Sequence, residues 1–85
     1  MPITLRAEVT FTPTEYGAVL LDLRTGRYWQ LSRTAAVIVA AVRAGRGRDG
    51  ALDDLRVRFD VGDDRLVRDV DTLLEQLRAG GLAVC

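Results

Sequence analysis

The sequence contains no histidine and no lysine, and its single cysteine, Cys85, is the last residue. Without histidine the chain lacks the commonest general base and an imidazole metal ligand, and one thiol can neither close a disulfide within the chain nor complete a Cys/His metal cluster. Cys85 has no base to activate it, so it reads as a frayed terminal residue and not as a nucleophile. Net charge is missing too: twelve arginines balance twelve Asp and Glu. A chain with no cationic surplus gains little from neutralising phosphates, which argues against nucleic acid as its ligand. The longest apolar run, 35–42, is too short to span a bilayer, and the N-terminus has no basic-then-apolar secretion signal. These absences point to a cytoplasmic protein with no catalytic residue, no metal, no cofactor and no membrane partner.

What the chain does have is enough apolar residue, 48% of 85 positions, to fold as one small domain and not remain disordered. From Thr4 to Phe11 the pattern alternates, with Leu5, Ala7, Val9 and Phe11 on one side, which predicts a half-buried strand. Ala18 to Leu23 reads as a second strand, with Val19, Leu21 and Leu23 toward the core and Leu20 and Asp22 outward. Gly26 supplies the positive φ that the turn at Arg24-Thr25-Gly26 needs, and Arg27 to Leu31 follows as the third strand.

The period then changes. Ser32 is a good N-cap for an almost wholly apolar helix over Thr34–Arg43, with Gly45 to stop it. Arg46-Gly47-Arg48 reads as a flexible link before a second helix over Asp49–Phe59. Asp63 and Asp64 open a third helix running to about Ala79, with Leu66, Val70, Leu73 and Leu77 as its core stripe and Val67 and Leu74 at its margin. Gly80-Gly81 ends it, and Leu82 to Val84 is a short extended tail. The expected fold is α+β and winged-helix-like: a three-stranded antiparallel sheet over residues 1–31, three helices over 32–79, and a tail over 80–85, in one domain.

A winged-helix outline raises DNA binding as an alternative. The exposed positions of the third helix carry five acids (Asp63, Asp64, Asp69, Asp71, Glu75) against three arginines (Arg65, Arg68, Arg78), which would repel phosphates. Peptide binding uses the residues better. The last strand of a meander leaves one edge unpaired, and such an edge is either covered or used to dock an extended peptide. The candidate binding residues are therefore Arg27, Tyr28, Trp29, Gln30 and Leu31 on the strand. A row on the third helix, Asp63, Val67, Val70, Asp71, Leu74 and Arg78, would wall a groove beside it. Trp29 is either the anchor of that groove or, sharing Leu31's face, part of the core.

Together, Leu21-Asp22, Gly26-Arg27-Tyr28-Trp29-Gln30-Leu31-Ser32, the apolar helix, and Leu73-Leu74-Glu75-Gln76-Leu77 before Gly80-Gly81-Leu82 resemble the PqqD-like proteins, or RiPP recognition elements. The likeness is greatest to the discrete members of lasso-peptide biosynthesis. That family commonly has Asn after the strand's Leu; Ser32 stands there in this chain. The resemblance implies binding of the leader segment of a precursor peptide as a fourth strand between the third strand and third helix. It also implies delivery to a separate leader peptidase and a macrolactam-forming enzyme. An alternative within the family is a carrier of a quinone-cofactor precursor peptide for a radical enzyme.

Overall fold

The computed structural model of the protein describes residues 3–84; the expectation for Cys85 lies outside them. The strands are β1 (Thr4–Leu5), β2 (Val9–Thr14), β3 (Gly17–Asp22), β4 (Tyr28–Leu31) and β5 (Ala83–Val84), and the helices are α1 (Arg33–Arg43), α2 (Gly47–Arg58) and α3 (Asp63–Ala79). A three-stranded antiparallel sheet, β2-β3-β4, precedes three helices, so the architecture is the α+β one expected. The helices cover one sheet face, and Leu20, Ile38, Leu55, Val70 and Leu82 lie at the centre of the shared core.

The expected first strand is in fact two. Residues 6–8 turn, and β1 leaves the main sheet to pair with β5, Thr4 opposite Val84 and Leu5 opposite Ala83. The tail is thus tied back to the start of the chain. The alternation seen in the sequence holds from Val9 onward, where Val9 is buried and Thr10 exposed.

In β3 the faces are the reverse of those expected. Ala18, Leu20 and Asp22 are buried, whereas Val19 and Leu21 are half-buried and Leu23 is exposed. Either set of alternate positions is largely apolar, so the sequence pattern alone does not fix which set faces the core. A one-residue change of phase moves every side chain to the other face. Here Asp22 can be buried because Arg24 answers it: its carboxylate accepts from the Arg24 backbone N–H at 2.9 Å, from Nε at 3.3 Å and from Nη2 at 3.1 Å. A buried acid is tolerated when it is paired and hydrogen-bonded. Leu20 opposite Trp29 and Ala18 opposite Leu31 then carry that inward face onto β4.

Two glycines are required by the turns that set this sheet. Gly26 adopts φ 75° and donates to the Asp22 carbonyl, closing the β3–β4 connection. Gly17 opens β3 with φ 152°, and a Cβ there would strike the Leu31 carbonyl, so the strand end and β4 approach closely only because the side chain is missing. Helix α1 starts where expected: the Ser32 hydroxyl accepts from the Ala35 N–H at 3.1 Å. Helix α2 begins at Gly47, two residues before the expected start, so the presumed link Arg46-Gly47-Arg48 is largely helical. Its Leu52 and Leu55 are buried, while Val57 projects into solvent.

Candidate peptide-binding groove

The hydrogen-bond ladder decides which groups of β4 are free. Asp22 N–H donates to the Arg27 carbonyl at 2.9 Å, and these residues are opposed one step beyond the last ladder pair, Leu21 and Tyr28. Directly opposed antiparallel residues alternate between hydrogen-bonded and non-hydrogen-bonded pairs. Leu20–Trp29 and Ala18–Leu31 are therefore bonded pairs, whereas Leu21–Tyr28 and Val19–Gln30 are not. It follows that the N–H and C=O of Tyr28 and Gln30 point away from β3, out of the open edge. Their side chains lie on the solvent face of the sheet. Arg27, Trp29 and Leu31 turn theirs inward, and the Arg27 guanidinium sits 5.1 Å from the Trp29 ring centroid.

Beside this edge lies a cavity of about 410 Å³ lined by Leu20, Trp29, Gln30, Leu31, Ser32, Ala35, Leu73, Gln76, Leu77 and Leu82. A second, of about 360 Å³, is lined by Ser32, Thr34, Ala35, Ile38, Arg68, Asp69, Thr72, Leu73 and Gln76. The two share Ser32, Ala35, Leu73 and Gln76, which makes them one trough, apolar near Trp29 and polar toward Arg68. Trp29 resolves the choice left open in the sequence: it is half-buried, packed on the core and lining the trough at once.

All of the strand residues expected at the site lie at or next to this edge. The helix row does not. None of Asp63, Val67, Val70, Asp71, Leu74 and Arg78 lines either half of the trough. Val70 and Leu74 are buried in the core, and Val67 packs against it. Asp63 pairs with Arg56 of α2 at 2.7 Å, Asp71 with Arg48 of α2 at 2.6 Å, and Arg78 with Glu75 of its own helix at 2.7 Å. The row faces α2, and the trough is walled instead by the far margin of the stripe, Asp69, Thr72, Leu73 and Gln76. An amphipathic stripe has two margins at helical spacing, and periodicity does not tell which one meets the sheet. Leu73 and Leu74 accordingly exchange the parts expected of them: Leu74 is core and Leu73 is half-exposed in the trough.

Electrostatics hold this frame together. The Arg24 hydrogen bonds keep the Asp22 carboxyl below its ordinary value. Arg24 Nη2 also donates to the Gly81 carbonyl at 3.1 Å, linking the β3–β4 turn to the residues just after α3. The hydrogen bonds from Arg56 and Arg48 likewise lower the carboxyls of Asp63 and Asp71.

A three-stranded sheet followed by three helices is an architecture shared with known proteins. Residues 17–83 match the family model described as coenzyme PQQ synthesis protein D. The protein belongs to the PqqD family. Among solved structures, this PqqD-family chain is 35% identical to a lasso peptide synthetase B1 complexed with the leader peptide. That match covers 100% of both chains with a TM-score of 0.85. It shares its fold with TbiB1 in complex with the TbiA(beta) leader peptide, at 22% identity over 94% of this chain and 93% of that one, TM-score 0.85. The fold recurs in Streptococcus suis SuiB bound to S-adenosylmethionine, at 10% identity and TM-score 0.52, where it covers 95% of this chain and 24% of that one. No curated protein sequence matches.

Leu73, Gln76, Ser32 and Ala35 are trough residues that the sequence reading did not assign to the site. A usable signal was present for Leu73 and Gln76: they lie three apart, flanking an equally apolar Leu74, so the helix offered two candidate walls and not one. The clasp made by Asp22 was announced only by an acid placed inside a strand.

Proposed function

We propose that this PqqD-family protein binds the leader segment of a ribosomally made precursor peptide as an added strand on β4. The observation that carries this reading is the outward pair of backbone groups at Tyr28 and Gln30 beside an apolar trough. Main-chain bonds along the edge supply affinity, and side-chain pockets supply specificity. Directly paired residues of neighbouring strands share a face. Peptide residues opposite Trp29, and two positions to either side of it, thus enter the trough. The α3 wall in this reading is Leu73, Gln76 and Leu77, with Arg68, Asp69 and Thr72 at the polar end. The 35% identity to a leader-bound lasso peptide synthetase B1 over both whole chains supports a lasso-type precursor. The protein has no chemistry of its own in this account. It presents the peptide to a separate leader peptidase and to a macrolactam-forming enzyme.

The family description, coenzyme PQQ synthesis, favours a second reading in which the peptide is a quinone-cofactor precursor. Both use the same edge and differ in the peptide. Amide hydrogen exchange with and without a lasso leader or a quinone-cofactor precursor tests both. Tyr28 and Gln30 amides should become protected by the correct peptide, while the Trp29 and Leu31 amides, already bonded to β3, change little. Saturating peptide with no protection at Tyr28 and Gln30 rejects strand addition on this edge. A full-length precursor incubated with the protein alone should keep its mass, and cleavage would reject the non-catalytic role.

A further inference from the structure

Helix α1 borders two hollows. Ser32 and Ala35 line the trough, whereas Arg33 and Val37 line a separate cleft of about 430 Å³. Glu15 and Gly17 of the β2–β3 hairpin and Arg58 and Phe59 at the end of α2 are among its other walls. Val37 and Phe59 are half-buried and packed on the core, so the floor of the cleft is apolar. Arg33 and Arg58 stand exposed at its rim.

These two arginines differ from their neighbours. Arg48 and Arg56 of α2 hold Asp71 and Asp63, and Arg46 just before that helix holds Asp54. Among the described residues, no carboxylate answers Arg58 or Arg33, and Glu15 on the facing lip pairs with neither. The first turn of α1 has no acid to answer Arg33 either. Guanidinium groups recognise carboxylates through paired N–H donors. A cationic rim over an apolar floor therefore complements a short segment that carries acidic and apolar side chains together. Two arginines beside a glutamate offer a phosphate backbone too little charge.

The cleft is also within reach of a peptide on β4. Gly17 approaches the Leu31 carbonyl closely, so the cleft opens where β4 ends and α1 begins. Whichever way an added strand runs, one of its ends leaves the edge at Leu31. From there the end of β3 is two strand spacings away, about 10 Å, which about three extended residues cross.

We propose that this cleft is a second subsite for the precursor peptide, taking an acidic and apolar stretch that flanks the strand segment on its Leu31 side. The proposal rests on strand addition at β4, which brings the flank to the cleft. Ion pairs at an exposed rim are weak alone, but a short linker makes the second contact intramolecular, so it adds to the affinity of the first.

The test uses fluorescein-labelled synthetic peptides. One is the strand segment of a lasso leader alone. Two others extend it, at one end or the other, by a spacer of about three residues followed by Asp-Leu-Glu. The peptide whose extension leaves at Leu31 should bind wild type about fivefold more tightly than the bare segment, the gain expected of pairs at an exposed rim. Arg33→Glu and Arg58→Glu should abolish that gain yet bind the bare segment within about twofold, since neither side chain lines the trough. Circular dichroism should show both variants folded. High salt, or Asn-Leu-Gln in place of the acidic extension, should remove most of the gain. Wild type that binds the bare segment and gains nothing from either extension overturns the proposal and leaves strand addition standing. So does a gain that survives in both variants and disappears in Arg68→Glu, which would put the flank at the polar end of the trough. Wild-type self-association abolished by Arg58→Glu would give the cleft to a second copy and likewise overturn the proposal alone. A wild type that does not bind the bare segment overturns strand addition and this proposal with it.

Discussion

The sheet has two outer edges, and they are built differently. On β4 the outward residues, Tyr28 and Gln30, each offer an N–H and a C=O. On β2 the Leu23 N–H bonds to the Glu8 carbonyl, which phases the ladder so that Val9, Phe11 and Pro13 point outward. Of these, Pro13 has no N–H, and the Val9 N–H is used at 3.1 Å by the Arg6 carbonyl in the turn. Only Phe11 is left with a donor, and the Arg43 guanidinium stands over its ring at 5.2 Å. Unprotected edges invite indiscriminate pairing, and a proline on an edge strand is a common way to close one. The contrast teaches that a peptide-docking edge is defined as much by blunting its counterpart as by its own residues.

The largest expected effects come from closing the open edge. Gln30→Pro removes a donor that points away from β3, so the domain should remain folded while leader binding falls by two orders of magnitude or more, read by fluorescence anisotropy. Trp29→Pro, one residue away, removes a donor bonded to β3 and leaves its partner unsatisfied, at a cost of about 1–3 kcal/mol on top of the lost indole packing. It should lower the melting temperature sharply. If both prolines unfold the protein, or if Gln30→Pro binds leader normally, the assignment of inward and outward groups is wrong.

Next come the two margins of α3. Leu73→Glu places a charge in the trough and should weaken leader binding by about 2 kcal/mol or more through desolvation. Val67→Glu, on the margin turned toward α2, should leave binding within a few-fold. Circular dichroism must show both variants folded. The reverse result returns the groove to the row facing α2.

These positions also show what the chain could and could not disclose. The α3 boundaries, the Ser32 cap, the Gly26 turn and the order of sheet before helices depend on local signals, spacing, capping and turn chemistry, and all are legible in the sequence. The phase of β3 is not local. It depends on whether Asp22 finds a partner, and Arg24 becomes that partner only once the turn folds back. The site divides the same way. The strand half follows from a meander having a last strand, whereas the helix half depends on how α3 is rotated about its axis. That rotation is set by α1, α2 and β5 packing on it, which no stripe of leucines specifies.

A smaller effect comes from reopening the blunted edge. Pro13→Val restores an outward N–H on β2. Leader should still bind one per protein, because the cavity beside Val9 on β2 is smaller, about 280 Å³, and has Arg6 and Arg43 in its lining, but self-association should rise, visible by sedimentation velocity at high concentration. A second leader equivalent bound by Pro13→Val would mean that an open edge alone is enough for docking.

The smallest expected effect concerns the clasp that holds the open side in place. The Asp22 carboxyl, lowered from 3.8 by its hydrogen bond to Arg24, is charged in the folded state to a lower pH than in the unfolded chain. Its contribution to stability is therefore complete above the unfolded value and fades as pH falls from about 4 through the lower folded value. Asp63 and Asp71 are shifted the same way by Arg56 and Arg48 and share this acid limb. They differ in setting: both carboxylates are more than half exposed, whereas Asp22 is 2% exposed. Salt screens exposed pairs far more than buried ones. In high salt the remaining acid sensitivity of wild type should belong mainly to Asp22, and Asp22→Asn should remove most of it while lowering stability at neutral pH. Because Arg24 also reaches the Gly81 carbonyl, that variant should weaken leader binding modestly at neutral pH. Urea titrations across pH 3–6 at two salt concentrations read the first effect and anisotropy the second. An Asp22→Asn protein with an unaltered acid limb in high salt would show that the clasp does not hold the β4 side of the sheet.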